Sequence, residues 1–179
     1  MWVFCSGKDS SKPMSLYKYH PTRSAKVVEE VLGKYSGYLQ TDGYEAYTHA
    51  WESTRIGCWA HARRKWIDCL PKGIKAKGSK AEQALSIVEE IFTVEKSLVG
   101  MQEKDIYSER INKTKPLLKK YWKLLEATDA PKGSALYKAV NYSLNNKKEL
   151  EGFLADGRLE LTNNRAERAV KPFVIARKN

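Results

Sequence analysis

The hydrophobic pattern of this chain changes character once, and that change limits the possible fold more than any other feature. Over the first third, short apolar runs alternate with an amphipathic stretch. Met1–Cys5 (MWVFC) reads as a buried strand, and Ser6–Ser11 as a turn cluster. Ser15–His20 alternates apolar and polar residues and predicts a second strand, paired as a hairpin. From Ser24, the residues Ala25, Val27, Val28, Val31 and Leu32 fall at helical spacing behind a serine cap. Gly37–Thr41 predicts a third strand, stopped by Asp42-Gly43. Tyr44–Trp51 suits a short helix, and Arg55–Trp59 a fourth strand. Such alternation is the pattern of a mixed α/β layer.

The middle of the chain carries no strand pattern. Lys80–Val99 places Ala81, Ala84, Leu85, Val88, Ile91 and Phe92 on one helical face. A second helix is predicted to begin at Pro116, whose missing amide costs nothing in a first turn. Ser134–Asn145 and Leu150–Leu154 predict two more. The expected organisation is therefore an α/β part over residues 1–71, an all-helical insertion over 72–157, and a returning segment over 158–179. In that last segment Asn164 and Glu167 have the spacing of a capping box, and Pro172 is expected to limit or kink the helix.

Composition narrows the function classes. The 179 residues carry a formal charge of +11, with 42% hydrophobic and 30% charged residues, the profile of a globular chain. No stretch approaches the ~18 apolar residues of a membrane span, and no secretion signal opens the chain. Three cysteines, Cys5, Cys58 and Cys69, make no disulfide framework and suit a reducing cytosol. The positive charge is clustered. Seven cations against Asp68 alone lie between His61 and Lys80, and six against Glu160 and Glu167 between Arg158 and Asn179. Clustering of this kind favours a polyanionic partner, nucleic acid first, over charge kept for solubility.

Two carboxylates are candidates for chemistry. Asp42 is predicted at the carboxyl end of a strand, the edge where ligands gather in sheets with crossover helices. Glu167 is predicted in the first turn of a helix, where its charge suits the helix dipole. Taken singly, Asp42-Gly43 is read as well as a plain turn, and Glu167 as a capping residue. Together they could belong to a metal site for phosphoryl transfer, in which cations steady the attacking and leaving oxygens. Cys58 and His61 have the spacing of half a zinc site, but no second such pair follows, so no zinc is expected. Arg63, Arg64 and Lys65, with Trp66 beside them, could grip phosphates or could form a solvated helix face. His20 and His49 read as structural.

Three strings in order then carry a resemblance. They are Thr41-Asp42-Gly43-Tyr44-Glu45-Ala46-Tyr47, the run Gly57–Lys65 (GCWAHARRK), and Asn163–Pro172 (NNRAERAVKP) closing on Ile175–Asn179. With the opening MWVF and the helical stretch between them, they resemble the catalytic region of bacterial transposases of insertion sequence family 66, over essentially the whole chain. The resemblance implies a ribonuclease-H-like mixed sheet with a large helical insertion. It implies an Asp-Asp-Glu triad holding two Mg²⁺ or Mn²⁺ ions that cuts and rejoins DNA. Asp42 matches the second Asp and Glu167 the Glu, 125 residues further on. The implied DNA contacts fall to Arg63, Arg64, Lys65, Arg165, Arg168, Lys171, Arg177 and Lys178. The first Asp of the family lies on a strand before the one matching MWVF, and Asp9 does not match it. The chain therefore reads as a truncated catalytic core, missing its first strand and inactive alone. Its expected setting is a bacterial cytoplasm, associated with the nucleoid. Its expected partners are transposon-end and target DNA, a second copy or a full-length transposase. The other reading is a non-catalytic DNA-binding or transposase-inhibiting module.

Overall fold

A computed structural model describes residues 1–70 and 78–176. Strand β1 (Trp2–Cys5) pairs antiparallel with β2 (Ser15–Lys18), Trp2 opposite Lys18 and Cys5 opposite Ser15. Helix α1 (Lys26–Leu32) follows, its Lys26 amide bonded to Ser24 Oγ at 3.3 Å. Strand β3 (Tyr38–Gln40) pairs parallel with β4 (Thr54–Ile56), and a 3₁₀ turn at Glu45–His49 lies between them. Helices α2 (Trp59–Ile67), α3 (Lys80–Ser97) and α4 (Glu103–Glu109) come next. A π turn at Arg110–Thr114 joins α4 to α5 (Lys115–Glu126). Helices α6 (Ala135–Asn145) and α7 (Lys147–Glu151), a 3₁₀ turn at Gly152–Ala155 and α8 (Asn164–Ala176) complete the order.

The mixed α/β character and the helical middle agree with the sequence pattern, but the strands do not join. The described residues form two separate two-stranded sheets, β1–β2 and β3–β4. Both rest on α1: Trp2, Val27, Val28, Ala46 and Ala50 form a small buried cluster, with Phe4 and Leu39 packed against it. Tyr44 and Tyr47 approach the Trp2 ring at centroid distances of 6.1 and 5.8 Å. Helix α8 lies against the hairpin. Tyr17 donates its hydroxyl to the Ala169 carbonyl at 3.1 Å, and its ring sits 4.9 Å from that of Phe173.

The larger core is helical. Trp59, Ala62 and Trp66 of α2 interleave with Ala84, Val88 and Ile91 of α3, Leu118, Tyr121 and Leu125 of α5, and Ala139 of α6. Its buried indole N–H groups are paired, as buried groups require. The Trp66 indole donates to Tyr121 Oη at 2.7 Å, and the Trp59 indole to the Leu150 carbonyl at 2.8 Å.

Several expected boundaries shift for identifiable reasons. The fourth strand stops at Ile56, because Gly57 turns the chain and Trp59 is drawn into the helical core as the first residue of α2. The expected third strand, Gly37–Thr41, is regular only over Tyr38–Gln40. The last insertion helix runs over Lys147–Glu151 and tightens into a 3₁₀ turn, rather than spanning Leu150–Leu154. The helix expected to start at Pro116 continues from α4. The Lys115 amide reaches back five residues to the Arg110 carbonyl. That wide turn ends two residues before Pro116, whose ring would meet the carbonyl four residues back in an unbroken α-helix. Arg110 holds the wide turn from inside the protein. Fully buried, it pairs with Glu95 and donates to the carbonyls of Phe153, Asp156 and Leu159 at 2.9, 3.0 and 2.8 Å.

Candidate functional site

Asp42 leaves β3 at its carboxyl end. The Thr41 amide still bonds the Ile56 carbonyl at 2.8 Å, so the residue before Asp42 is fixed by the parallel ladder. One Asp42 carboxylate oxygen accepts the Tyr44 amide at 3.0 Å, an Asx turn that sets the side chain locally. Gly43 takes φ +83°, a conformation open to glycine. The turn is also held from outside. Tyr142 of α6, 100 residues on, donates its hydroxyl to the Asp42 carbonyl at 3.3 Å. A Cβ at Gly43 would lie 3.4 Å from both the Tyr142 hydroxyl and Asn146 Oδ1.

Glu167 lies in the first turn of α8. The expected capping box does not form. Backbone bonds from the Ala166 and Glu167 amides run to the Asn163 carbonyl at 3.0 and 3.3 Å, so Asn163 rather than Asn164 stands at the cap. The Glu167 side chain is thereby freed from its own helix end. It faces α2 instead, with His61 Nε2 3.5 Å from Glu167 Oε1.

The segment Gly57–His61 is the seam between the two carboxylates. Gln40 Nε2 donates to the Gly57 carbonyl at 2.9 Å, and Gly57 donates to the Glu149 carbonyl at 2.8 Å. On its other side, Cys58 Sγ accepts the Asn163 amide at 3.4 Å, and the Trp59 amide bonds the Leu161 carbonyl at 3.1 Å. Gln40, two residues before Asp42, and Glu167 are thus anchored to the same short stretch of chain. Burial pushes the Tyr142 hydroxyl up to about 12, with Cys58 and Asp42 adding to the shift. Burial also raises the Cys58 thiol, and the Glu167 charge adds to it. Tyr47 is likewise raised to about 12 by burial, then by Asp42 and Tyr44. Two buried polar atoms in this seam have no hydrogen-bond partner, His61 Nδ1 and Asn163 Oδ1. Among the described residues no three His, Cys, Asp or Glu side chains gather into a metal centre.

The candidate phosphate-binding cations divide into two sets. Arg63 is tied to Glu89 at 2.6 Å and Arg165 to Glu160 at 3.0 Å. Arg64, Lys65, Arg168 and Lys171 are exposed, and none makes an ion pair with a described residue. Lys65 Nζ sits 5.8 Å from the centre of the Tyr142 ring. Arg177 and Lys178 lie outside the described residues. Neither Tyr142 nor Asn163 is singled out by sequence. Tyr142 reads there as one more residue of an amphipathic helix, and the capping-box spacing points to Asn164 instead of Asn163.

The family described as Transposase IS66 family matches residues 1–179. Three curated relatives from Sinorhizobium fredii (strain NBRC 101917 / NGR234) are named as uncharacterized proteins. They are y4qI (30% identical, covering 99% of this chain and 36% of its own length), y4jD (34%, 96% and 35%) and y4hP (28%, 95% and 34%). The chain spans about a third of the length of these relatives. No solved structure matches it. With the match running from the first residue to the last, the chain belongs to the transposase IS66 family.

Proposed function

We propose that residues 1–179 form part of the catalytic core of a DNA transposase, with Asp42 and Glu167 as two of its metal-binding carboxylates. The observation carrying this reading is the anchorage on Gly57–His61 of both Glu167 and Gln40, two residues before Asp42, although 124 residues lie between the two carboxylates. The donor set suits a hard cation. Two carboxylates and the unpartnered Asn163 Oδ1 are all oxygens, which Mg²⁺ and Mn²⁺ accept and which Mg²⁺ needs in small number from protein. Bound there, such cations would supply Lewis-acid stabilisation of the attacking and leaving oxygens in phosphodiester cleavage and joining.

The chain's own residues have separable tasks. The Tyr44 amide and the Tyr142 hydroxyl hold the Asp42 turn, and His61 orients the Glu167 carboxylate across the seam. Arg64, Lys65, Arg168 and Lys171, unneutralised by acids of the described residues, bind DNA phosphates. A ribonuclease-H-like arrangement accounts for the divided sheet. Among the described residues the outer edges of β1 and β3 have no strand partner while sharing support from α1, and one strand between them would unite the pairs. That strand, with a first Asp, would come from polypeptide outside residues 1–179, consistent with relatives roughly three times as long. Without it, this stretch alone is expected not to transfer strands.

The test uses a chain extended with its upstream sequence, acting on DNA that bears the element's ends in Mg²⁺ or Mn²⁺. Asp42→Asn and Glu167→Gln are each expected to abolish cleavage. Undiminished cleavage by either would remove the site assignment. A second reading, a non-catalytic DNA-binding module, draws on the lack of a three-residue metal centre among the described residues. Duplex binding that weakens with salt and is indifferent to EDTA, with no cutting by the extended chain, is its signature.

A further inference from the structure

Between Glu109 and Glu126 lie sixteen residues that contain six cations and no acid. Arg110 is buried on Glu95, and Lys113 pairs with Glu109 at 2.5 Å. The remaining four, Lys115, Lys119, Lys120 and Lys123, are exposed on α5, and no described residue forms an ion pair with any of them. Lys120 faces the groove between α3 and α5, which also holds Glu82 and Glu89. The other three recur every fourth residue, exposed along a line that borders the buried Leu118 and Trp122. They make one stripe about 12 Å long, given a rise of 1.5 Å per residue. Like charges four residues apart repel, so the stripe destabilises its own helix. The nearest acid along the helix, Glu126, three residues after Lys123, is taken by Lys147 at 3.2 Å. A row of uncompensated ammonium groups on a helix held rigid by core packing presents a linear cationic surface that matches a phosphate backbone.

We propose that Lys115, Lys119 and Lys123 form a phosphate-binding surface for duplex DNA, carried by the helical middle of the chain and separate from the cations on α2 and α8. The choice of DNA over other polyanions rests on the transposase reading above. The surface reads backbone charge and not base sequence, because lysine acts as a point charge on a flexible stem.

The experiment measures binding of a fluorescently labelled random-sequence duplex to the 179-residue chain by anisotropy across a salt series. Each phosphate contact contributes about 0.9 to the slope of log affinity against log salt. The triple variant Lys115→Gln, Lys119→Gln, Lys123→Gln is expected to lower that slope by about 2 to 3. The charge-preserving triple Lys→Arg is expected to keep it, with helical circular dichroism unchanged in both. Single Lys→Gln variants, each lowering the slope by about 1, give the same answer should the triple fail to fold. A slope unaltered by these changes overturns the surface. So does absence of duplex binding at low salt, or tighter binding of a single-stranded RNA of equal length. Cleavage indifferent to Asp42→Asn would sink the transposase reading and leave the slope result standing, so the two failures are distinguishable.

Discussion

At the scale of single residues, Tyr142 links the chemistry of the site to a measurable property. Its hydroxyl donates to the Asp42 carbonyl, and both it and Tyr47 are raised from 10 to about 12, burial being the main cause. A raised acid keeps its proton longer in the folded state than in the unfolded one. These tyrosines therefore leave stability unaffected below pH 10 and lower it as pH rises from about 10 to 12. Urea midpoints are expected to be flat from pH 7 to 9 and to fall by pH 11. In Tyr142→Phe the alkaline fall should be shallower. That variant should also lose about 1 kcal/mol at neutral pH, the usual worth of one hydrogen bond. An identical alkaline profile for wild type and variant would show that Tyr142 is not a source of the dependence.

Among the elements, the π turn and the close approach at Gly57 show how long-range contacts shape local structure. Arg110 lies inside the wide turn and bonds three carbonyls of the segment Phe153–Leu159. Replacing it with Met leaves those carbonyls and Glu95 without their donor. The expected loss is about 3 kcal/mol, the cost of breaking a buried ion pair from one side, read as a shift in the denaturation midpoint. Gly57 is constrained by space: a Cβ there would lie 3.1 Å from the Leu150 amide nitrogen and 3.2 Å from the Glu149 carbonyl carbon. Gly57→Ala must push α7 away from β4, at about 1 to 3 kcal/mol. Because Gly57 also carries the seam between Asp42 and Glu167, cleavage by the extended chain should fall with it. A stable Gly57→Ala protein with full activity would contradict that packing.

For the whole molecule, the two hydrophobic clusters are unequal. The helical one gathers fully buried Trp59, Trp66, Tyr121, Phe153 and Leu150, while the one beneath the sheets rests mainly on Trp2, Val27 and Val28. Local opening follows the apolar surface that must be exposed. Amides of α3, α5 and α6 are expected to exchange with deuterium far more slowly than those of β1, β2 and α1. Equal protection of both regions would mean that the hairpin is held by something other than the contacts seen here. No helix among the described residues is long and apolar enough to cross a membrane.

Much of the local structure was legible without coordinates, because burial on one face writes itself into sequence as a period. The spacing of Ala84, Val88 and Ile91 marked α3, Ser134 marked the start of α6 and now accepts the Tyr137 amide, and Asp42-Gly43 marked the end of β3. Motif order likewise pointed to the family. Four things required the folded chain. One was the division of the strands into two pairs; another was the choice of Asn163 over its neighbour as cap. The others were the reach of Tyr142 to Asp42, and which cations stay unpaired while Arg63 and Arg165 are taken by Glu89 and Glu160. Each depends on partners distant along the polymer. A repeat records that a residue is buried, whereas only packing decides against what.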